Sequence, residues 1–318
     1  VGLIASLTST PRPNPWAFHA HPDVWAVMVA LLLAYFLVAR HVGPSKVVPG
    51  EEVLPRRKIL LFCLGVGALW VHADWPIHDL GENYLLSVHM VQHTGLTLIA
   101  PPLLLLGLPA WMARWLFVGN RRVHRVVKRL SRPLLAGLIF NLVTVLTHWP
   151  LMVNTALEHH PVHLLVHVVL FFSAVLMWMP VVNTLPELPT MSYPVKMLYL
   201  FLQSVIPTIP ASFLTFGETP LYSYYAHVPH VFHLSAVADQ QLAGALMKVY
   251  AGSILWGVIV GVFFRWYSVE PEGPPRRALA PDGVLTWADV ESELARTAAP
   301  PGGPPGVAGP PGPPEERT

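Results

Sequence analysis

The 318-residue chain has a single cysteine, and charged residues make up only 12% of it. One cysteine excludes a disulfide scaffold, a Cys-rich zinc module, a CxxC redox protein and an iron–sulfur protein held by its own thiolates. The charge content is about half of the roughly 25% usual in soluble domains, too little to cover a water-soluble globule of this size. Hydrophobic residues account for 53% of the chain, so composition predicts an integral membrane protein. The net charge of +2 is close to neutral and gives no sign of a nucleic-acid partner. Histidine is what the chain has in excess: 16, against 20 Lys+Arg and 18 Asp+Glu.

Apolar runs lie near 24–40, 59–75, 84–106, 133–149, 162–182, 195–216 and 240–264. Most reach the roughly 17–25 residues that cross about 30 Å of hydrocarbon. Helix-start signals stand before several: Ser131 with Pro133, Pro194, and Asp239. The expected fold is all-α, a polytopic membrane bundle of seven transmembrane helices over 24–267. A shorter apolar piece, Trp111 to Phe117, follows three prolines, contains Arg114, and reads as an interfacial helix. Residues 1–23 read as an extracytoplasmic segment without an obvious cleavable signal pattern. Residues 268–318 are rich in Pro and Gly and read as a disordered cytoplasmic tail, with one amphipathic stretch from Trp287 to Arg296.

The loops after the first, third and fifth runs, with the tail, hold 18 of the 20 Lys and Arg. The positive-inside rule then places the N-terminus outside and the C-terminus in the cytoplasm, a parity that seven crossings satisfy. Histidine sorts the other way. Fourteen of the 16 lie in the outer segments or outer halves of the runs, and only His41 and His124 lie in the inner loops. The positive-inside rule does not account for this, because a neutral imidazole feels little of that bias.

Two motifs are sharper. HMVQH (89–93) lies in the third run and HLLVH (163–167) opens the fifth. Each sets two histidines at i, i+4 on one helix face, about 6 Å apart, a spacing that lets two imidazoles share one metal. His89, His93, His163 and His167 fall at matching depth, with His72 and His148 near the outer ends of neighbouring runs and His78 close by. The competing reading is interhelical hydrogen bonding with no metal. Imidazole suits Zn, Cu, Fe and Ni alike. Met90 and Met152 stand near the pairs, and a set of His and Met would tolerate Cu(I), although such methionines more often serve packing. Asp239 either caps its helix or orients a ligating histidine. His19, His21, His159, His160, His227, His230 and His233 could capture metal from the outside medium, each of them otherwise a solvated loop residue. Lys248 is the one base within a run. A retinal Schiff base there is rejected, because the third run has no carboxylate to serve as counter-ion.

HMVQH with LTLIAPPLLLLGLP (96–109), the stretch THWPLMVNTALEHHPVHLLVHVVLFFSAVLMWMPVV (147–182), and DQQLAG (239–244) together resemble the CtaG-type cytochrome c oxidase assembly factors over roughly residues 24–265. The resemblance implies a seven-span protein of the bacterial plasma membrane that helps mature the copper centres of haem–copper oxidase. His89, His93, His148, His163, His167 and Asp239 match polar positions of that family; His72 and His78 are added from position alone. Lys248 stands where an apolar or aromatic residue is expected, and the tail lies outside the family core.

The expectation is therefore a copper-binding assembly factor and not an enzyme. It holds copper as Cu(I) on the extracytoplasmic side and passes it to oxidase subunits or another copper chaperone. One alternative is copper transport or resistance, for which Asn141, Thr144, Gln203, Ser204 and Lys248 offer only a half-pathway through the inner half. Others are a haem-bearing electron carrier or haem-modifying enzyme, and a purely structural subunit of a respiratory complex.

Overall fold

Helices follow one another without strands among the described residues of the computed structural model, which are 14–48, 50–182 and 185–269 with Trp287, Val290, Glu291 and Leu294. The chain divides after Tyr267, and the first unit is described below. Most of the N-terminal segment and of the Pro/Gly-rich tail lies outside the described residues; within 287–296 the four described ones are helical. The helices are α1 (Pro22–His41), α2 (Arg56–Ala73), α3 (Ile77–Asn83), α4 (Leu86–Thr94), α5 (Ala100–Gly107), α6 (Ala110–Phe117) and α7 (Arg121–Leu130). They continue with α8 (Pro133–Thr147), α9 (Pro150–Glu158), α10 (His160–Val182), α11 (Tyr193–Val205), α12 (Thr208–Phe216), α13 (Ser223–His227) and α14 (Ala236–Val269).

Six segments are long and apolar enough to cross a membrane: Pro22–His41, Arg56–Asn83, Leu86–Gly107, His160–Val182, Tyr193–Phe216 and Ala236–Val269. They correspond to all the expected spans but the fourth. That run forms α8, whose 15 residues rise only about 22 Å. It ends at Thr147, and Pro150 starts α9 in its place. Taken with α7, to which it is bent by 75°, α8 makes a seventh candidate span. The basic helix α7 is capped by Asn120, whose Oδ1 accepts from the amides of Arg122 at 2.8 Å and Val123 at 3.3 Å.

Polarity runs opposite to that of a water-soluble bundle. Gln92, Thr94, Thr97, Asn141, Thr144 and Gln203 are buried, while Leu33 and Leu37 on α1, Leu164 and Phe172 on α10, and Val249 and Trp256 on α14 are exposed. Lipid covers such an apolar exterior, and polar groups at that depth must turn inward and find partners. Glycines bring the helices close. A Cβ on Gly107 would stand 2.6 Å from the amide nitrogen of Phe62, and one on Gly65 would stand 2.9 Å from that of Leu104. This is small-residue packing of α2 on α5. Tyr35 of α1 donates to the Gly107 carbonyl at 3.0 Å.

The third span is continuous in hydropathy but not in geometry. Between α4 and α5 the chain takes a π-helical turn, Gly95–Ile99. Pro101 has no amide to donate to the Thr97 carbonyl one turn back, and in hydrocarbon that acceptor needs another partner. The indole Nε1 of Trp178 supplies it from α10 at 2.9 Å. The sixth span is likewise split between α11 and α12, at Pro207.

Candidate metal centre

The two HxxxH pairs sit on α4 and α10, and the fold presses them together. The ring centroid of His89 lies 4.3 Å from that of His93, 5.5 Å from His163 and 5.8 Å from His167. His163 and His167 are 4.1 Å apart, and His93 and His167 are 5.0 Å apart. His148, just past α8, closes on His93 at 5.3 Å. His89, His93, His148 and His163 are buried. One ligand nitrogen from each of His89, His163 and His167 lies within 4.8 Å of the other two. A first-row metal about 2.0–2.1 Å from each nitrogen brings three such atoms to about 3.5 Å from one another, so modest ring rotations close the triad.

The surroundings set the tautomers for ligation. The Glu82 carboxylate stands against Nδ1 of His163 and fixes the ring proton there. Nε2 is left as the lone-pair nitrogen, and it is buried with no hydrogen-bond partner among the described residues. A carboxylate behind one ring nitrogen and an open second nitrogen is the usual arrangement around a metal-bound histidine. His148 is set in the same sense, its Nδ1–H donating to the Thr144 carbonyl at 2.7 Å. Nδ1 of His89 and of His93 are also buried and unpartnered among the described residues, and Nε2 of His93 meets Nε2 of His167 at 3.0 Å. A set of imidazoles with this many open nitrogens fits a borderline metal ion, of which Zn, Cu, Fe and Ni are all candidates.

The elements that carry these rings are held from behind. Leu85, the residue before α4, offers no side-chain acceptor, and Asp239 of α14 does so in its stead. Its carboxylate accepts from the amides of Leu86 at 2.6 Å and Ser87 at 3.1 Å. Asp239 therefore anchors the helix bearing His89 and His93, with one carboxylate oxygen on each amide. On the other side of α4, a Cβ on Gly81 would come 3.0 Å from the Cα of His89, so glycine lets α3 lie against the pair. Tyr225 donates to the Gly81 carbonyl at 2.6 Å and Tyr222 to that of His148 at 2.9 Å. Burial raises the phenol pKa of both tyrosines, which keeps them as neutral donors.

His72 stands apart from the cluster. Its Nδ1–H donates to the Ala68 carbonyl at 2.7 Å, and its ring lies against Gly95. His78 is in place at the edge: it receives Gln92 Nε2 at 3.0 Å on Nδ1, and its Nε2 lies 3.3 Å from Glu82. Its ring is 6.1 Å from that of His163 and 4.9 Å from that of His21. Met90 packs among Leu86, Val153 and Tyr222 in the core, and Met152 is exposed. Nothing in the sequence singles out Glu82, and Gln92 is only the fourth residue of HMVQH; no spacing rule marks them as partners of the rings. Beyond His93 and His148 a cavity of about 70 Å³ opens, lined also by Thr94, Thr97, Thr144 and Gln203. Lys248 lines a different cavity, with Ser204, Thr208 and Ser212.

A family model described as cytochrome c oxidase caa3 assembly factor (Caa3_CtaG) matches residues 30–268. No curated protein and no solved structure matches the chain.

Proposed function

The chain belongs to the cytochrome c oxidase caa3 assembly factors, and from that membership we propose that it holds copper, as Cu(I), among the imidazoles of His89, His93, His163 and His167 and delivers it to an oxidase subunit or to another copper chaperone. One observation carries the reading: four helical histidines converge across two helices, and three of them, His89, His93 and His163, keep a buried nitrogen that has no hydrogen-bond partner among the described residues. His148 supports the set from one side and His78 from the other. Asp239 keeps α4 in register beneath it. Delivery by exchange of one imidazole for a partner's ligand breaks no covalent bond, so no enzymatic step belongs to this proposal.

The proposed setting is the bacterial plasma membrane, with the N-terminus outside and the histidines on the extracytoplasmic side. The Lys/Arg bias of the connecting loops supports that sidedness. The test is copper content after Cu(I) loading of the purified protein, comparing the parent with a His89→Ala/His93→Ala double variant. At least one copper per chain in the parent and its loss in the variant is the expected result; equal copper in both refutes the site.

A second reading, copper transport, draws on the mostly apolar cavity that continues from His93 and His148 to the polar groups of Thr144 and Gln203, where Asn141 donates to Gln203 at 2.7 Å. Copper accumulating inside sealed vesicles that carry the protein, and not in protein-free ones, would favour transport over holding. A Soret band in the purified protein would replace both readings with a haem site.

A further inference from the structure

The centre is not the one place where metal ligands meet. At the exposed edge of the cluster, His21, His78 and Asp79 bring a ligand atom each within 4.8 Å of one another. Asp79 accepts from His21 Nε2 at 2.8 Å and from His19 Nδ1 at 3.0 Å. Its own side chain is nearly inaccessible, while the side chain of His21 is 21% exposed and that of His19 63%. The three residues lie on the segment leading into α1 and on α3, not on either HxxxH helix, with His78 alone reaching toward them. His19 and His21 are more accessible than the buried rings of His89, His93, His148 and His163.

Resting on the copper reading above, we propose that His21, His78 and Asp79 form a second, separate copper site at the mouth, which takes Cu(I) from solution or from a donor and passes it through His78 to His163, His167 and His89. The ring spacings make a chain of short steps: 4.9 Å from His21 to His78, 6.1 Å to His163, then 4.1 Å to His167. Each step is short enough for one imidazole to be exchanged for the next while the ion keeps another ligand. The donor chemistry sets the direction. A carboxylate is a hard ligand and adds little to Cu(I), whereas imidazole holds it well. The mouth site therefore binds more weakly than the buried site, and transfer inward runs downhill.

His78 is suited to belong to both sites. Gln92 Oε1 is buried without a partner among the described residues, and turning that amide over lets it accept from Nδ1–H of His78. The lone pair then moves to Nε2, the nitrogen beside Glu82. The competing account is purely structural: Asp79 and its two histidines would tie the segment before α1 to α3 and bind no ion.

The experiment loads the full chain in detergent with Cu(I) against a chromophoric Cu(I) chelator and follows uptake by stopped flow. It compares the parent with His21→Gln/Asp79→Asn, with the milder His21→Gln alone, and with His89→Ala/His163→Ala, and records thermal unfolding for each. The parent is expected to take up two coppers, one yielding readily to the chelator and one resisting it. Both mouth variants are expected to lose the readily exchanged copper, keep the other, and load it about tenfold more slowly. The His89→Ala/His163→Ala variant is expected to keep only the exchangeable ion. A mouth variant that loads two coppers at the parental rate overturns the inference and leaves the copper reading standing. So does a parent that binds one copper whose uptake the mouth substitutions do not slow. A mouth variant that unfolds as the parent does but loses both ions shows one site rather than two, and also overturns it. A parent that binds no Cu(I) overturns the copper reading itself.

Discussion

Replacing Asp239 separates a residue that holds the helix from one that holds the metal. Asp239 is 4% exposed, and its carboxylate accepts from two amides at the start of α4, those of Leu86 at 2.6 Å and Ser87 at 3.1 Å. These are among the donors that an α-helix cannot satisfy internally. Asp239→Ala leaves both without an acceptor, at about 1–3 kcal/mol each, and removes a negative charge from a helix N-terminus, worth up to about 2 kcal/mol when partly buried. Because the losses share one site they do not add fully, and about 4 kcal/mol is expected. Asp239→Asn keeps one acceptor oxygen and loses the charge, so about 2 kcal/mol is expected by the same reasoning. His89 sits three residues beyond Leu86, so loosening the first turn disturbs its ring first. The variants should be compared by chemical or thermal unfolding in detergent, by Cu(I) competition, and by X-ray absorption at the copper edge. For Asp239→Asn the expected result is lowered stability, copper affinity reduced about tenfold, as for residues that orient ligands, and an unchanged nitrogen shell. Loss of an oxygen scatterer with unfolding unchanged would refute the anchoring account and make Asp239 a ligand. Unchanged stability and affinity together would remove it from the site altogether.

Two other substitutions test neighbouring parts of the argument. Trp178→Phe deprives the Thr97 carbonyl of its donor beside the π-helical turn and is expected to destabilise the protein by about 1–3 kcal/mol, read as a lower unfolding midpoint; a midpoint equal to the parent's would show that the carbonyl needs no partner. His72→Ala is expected to leave the copper stoichiometry unchanged, because that ring faces Ala68 and Gly95; copper lost from a normally folding variant would place His72 in the centre after all.

The spans were legible because hydropathy is local. A run of about twenty apolar residues has few places to go but a membrane, and six of the expected runs return as helical segments long and apolar enough to cross one. The breaks were less legible. Pro101 and Pro102 are plain in the sequence, but whether the helix stops, kinks or takes up a π-turn depends on what satisfies Thr97, and that donor is 81 residues away on Trp178. The fourth run shows the same limit. Its apolar stretch is long enough on paper, yet Pro150 opens a new helix and the first one ends after 15 residues.

For the site, the sequence by itself determined the pairs: i, i+4 spacing puts His89 with His93 and His163 with His167 on common faces whatever the rest of the chain does. Family membership, too, was written in the motifs. Only the tertiary structure decided that the two pairs meet, because helix rotation in a bundle is set by packing against all neighbours at once. It drew in His148 and His78, left His72 aside, set Glu82 behind His163, and turned Asp239 to the backbone of a helix 153 residues away. Spacing along a chain fixes which side chains share a face; which faces then confront one another is a property of the whole fold, settled by small residues such as Gly81, where a single Cβ would push α3 away from His89.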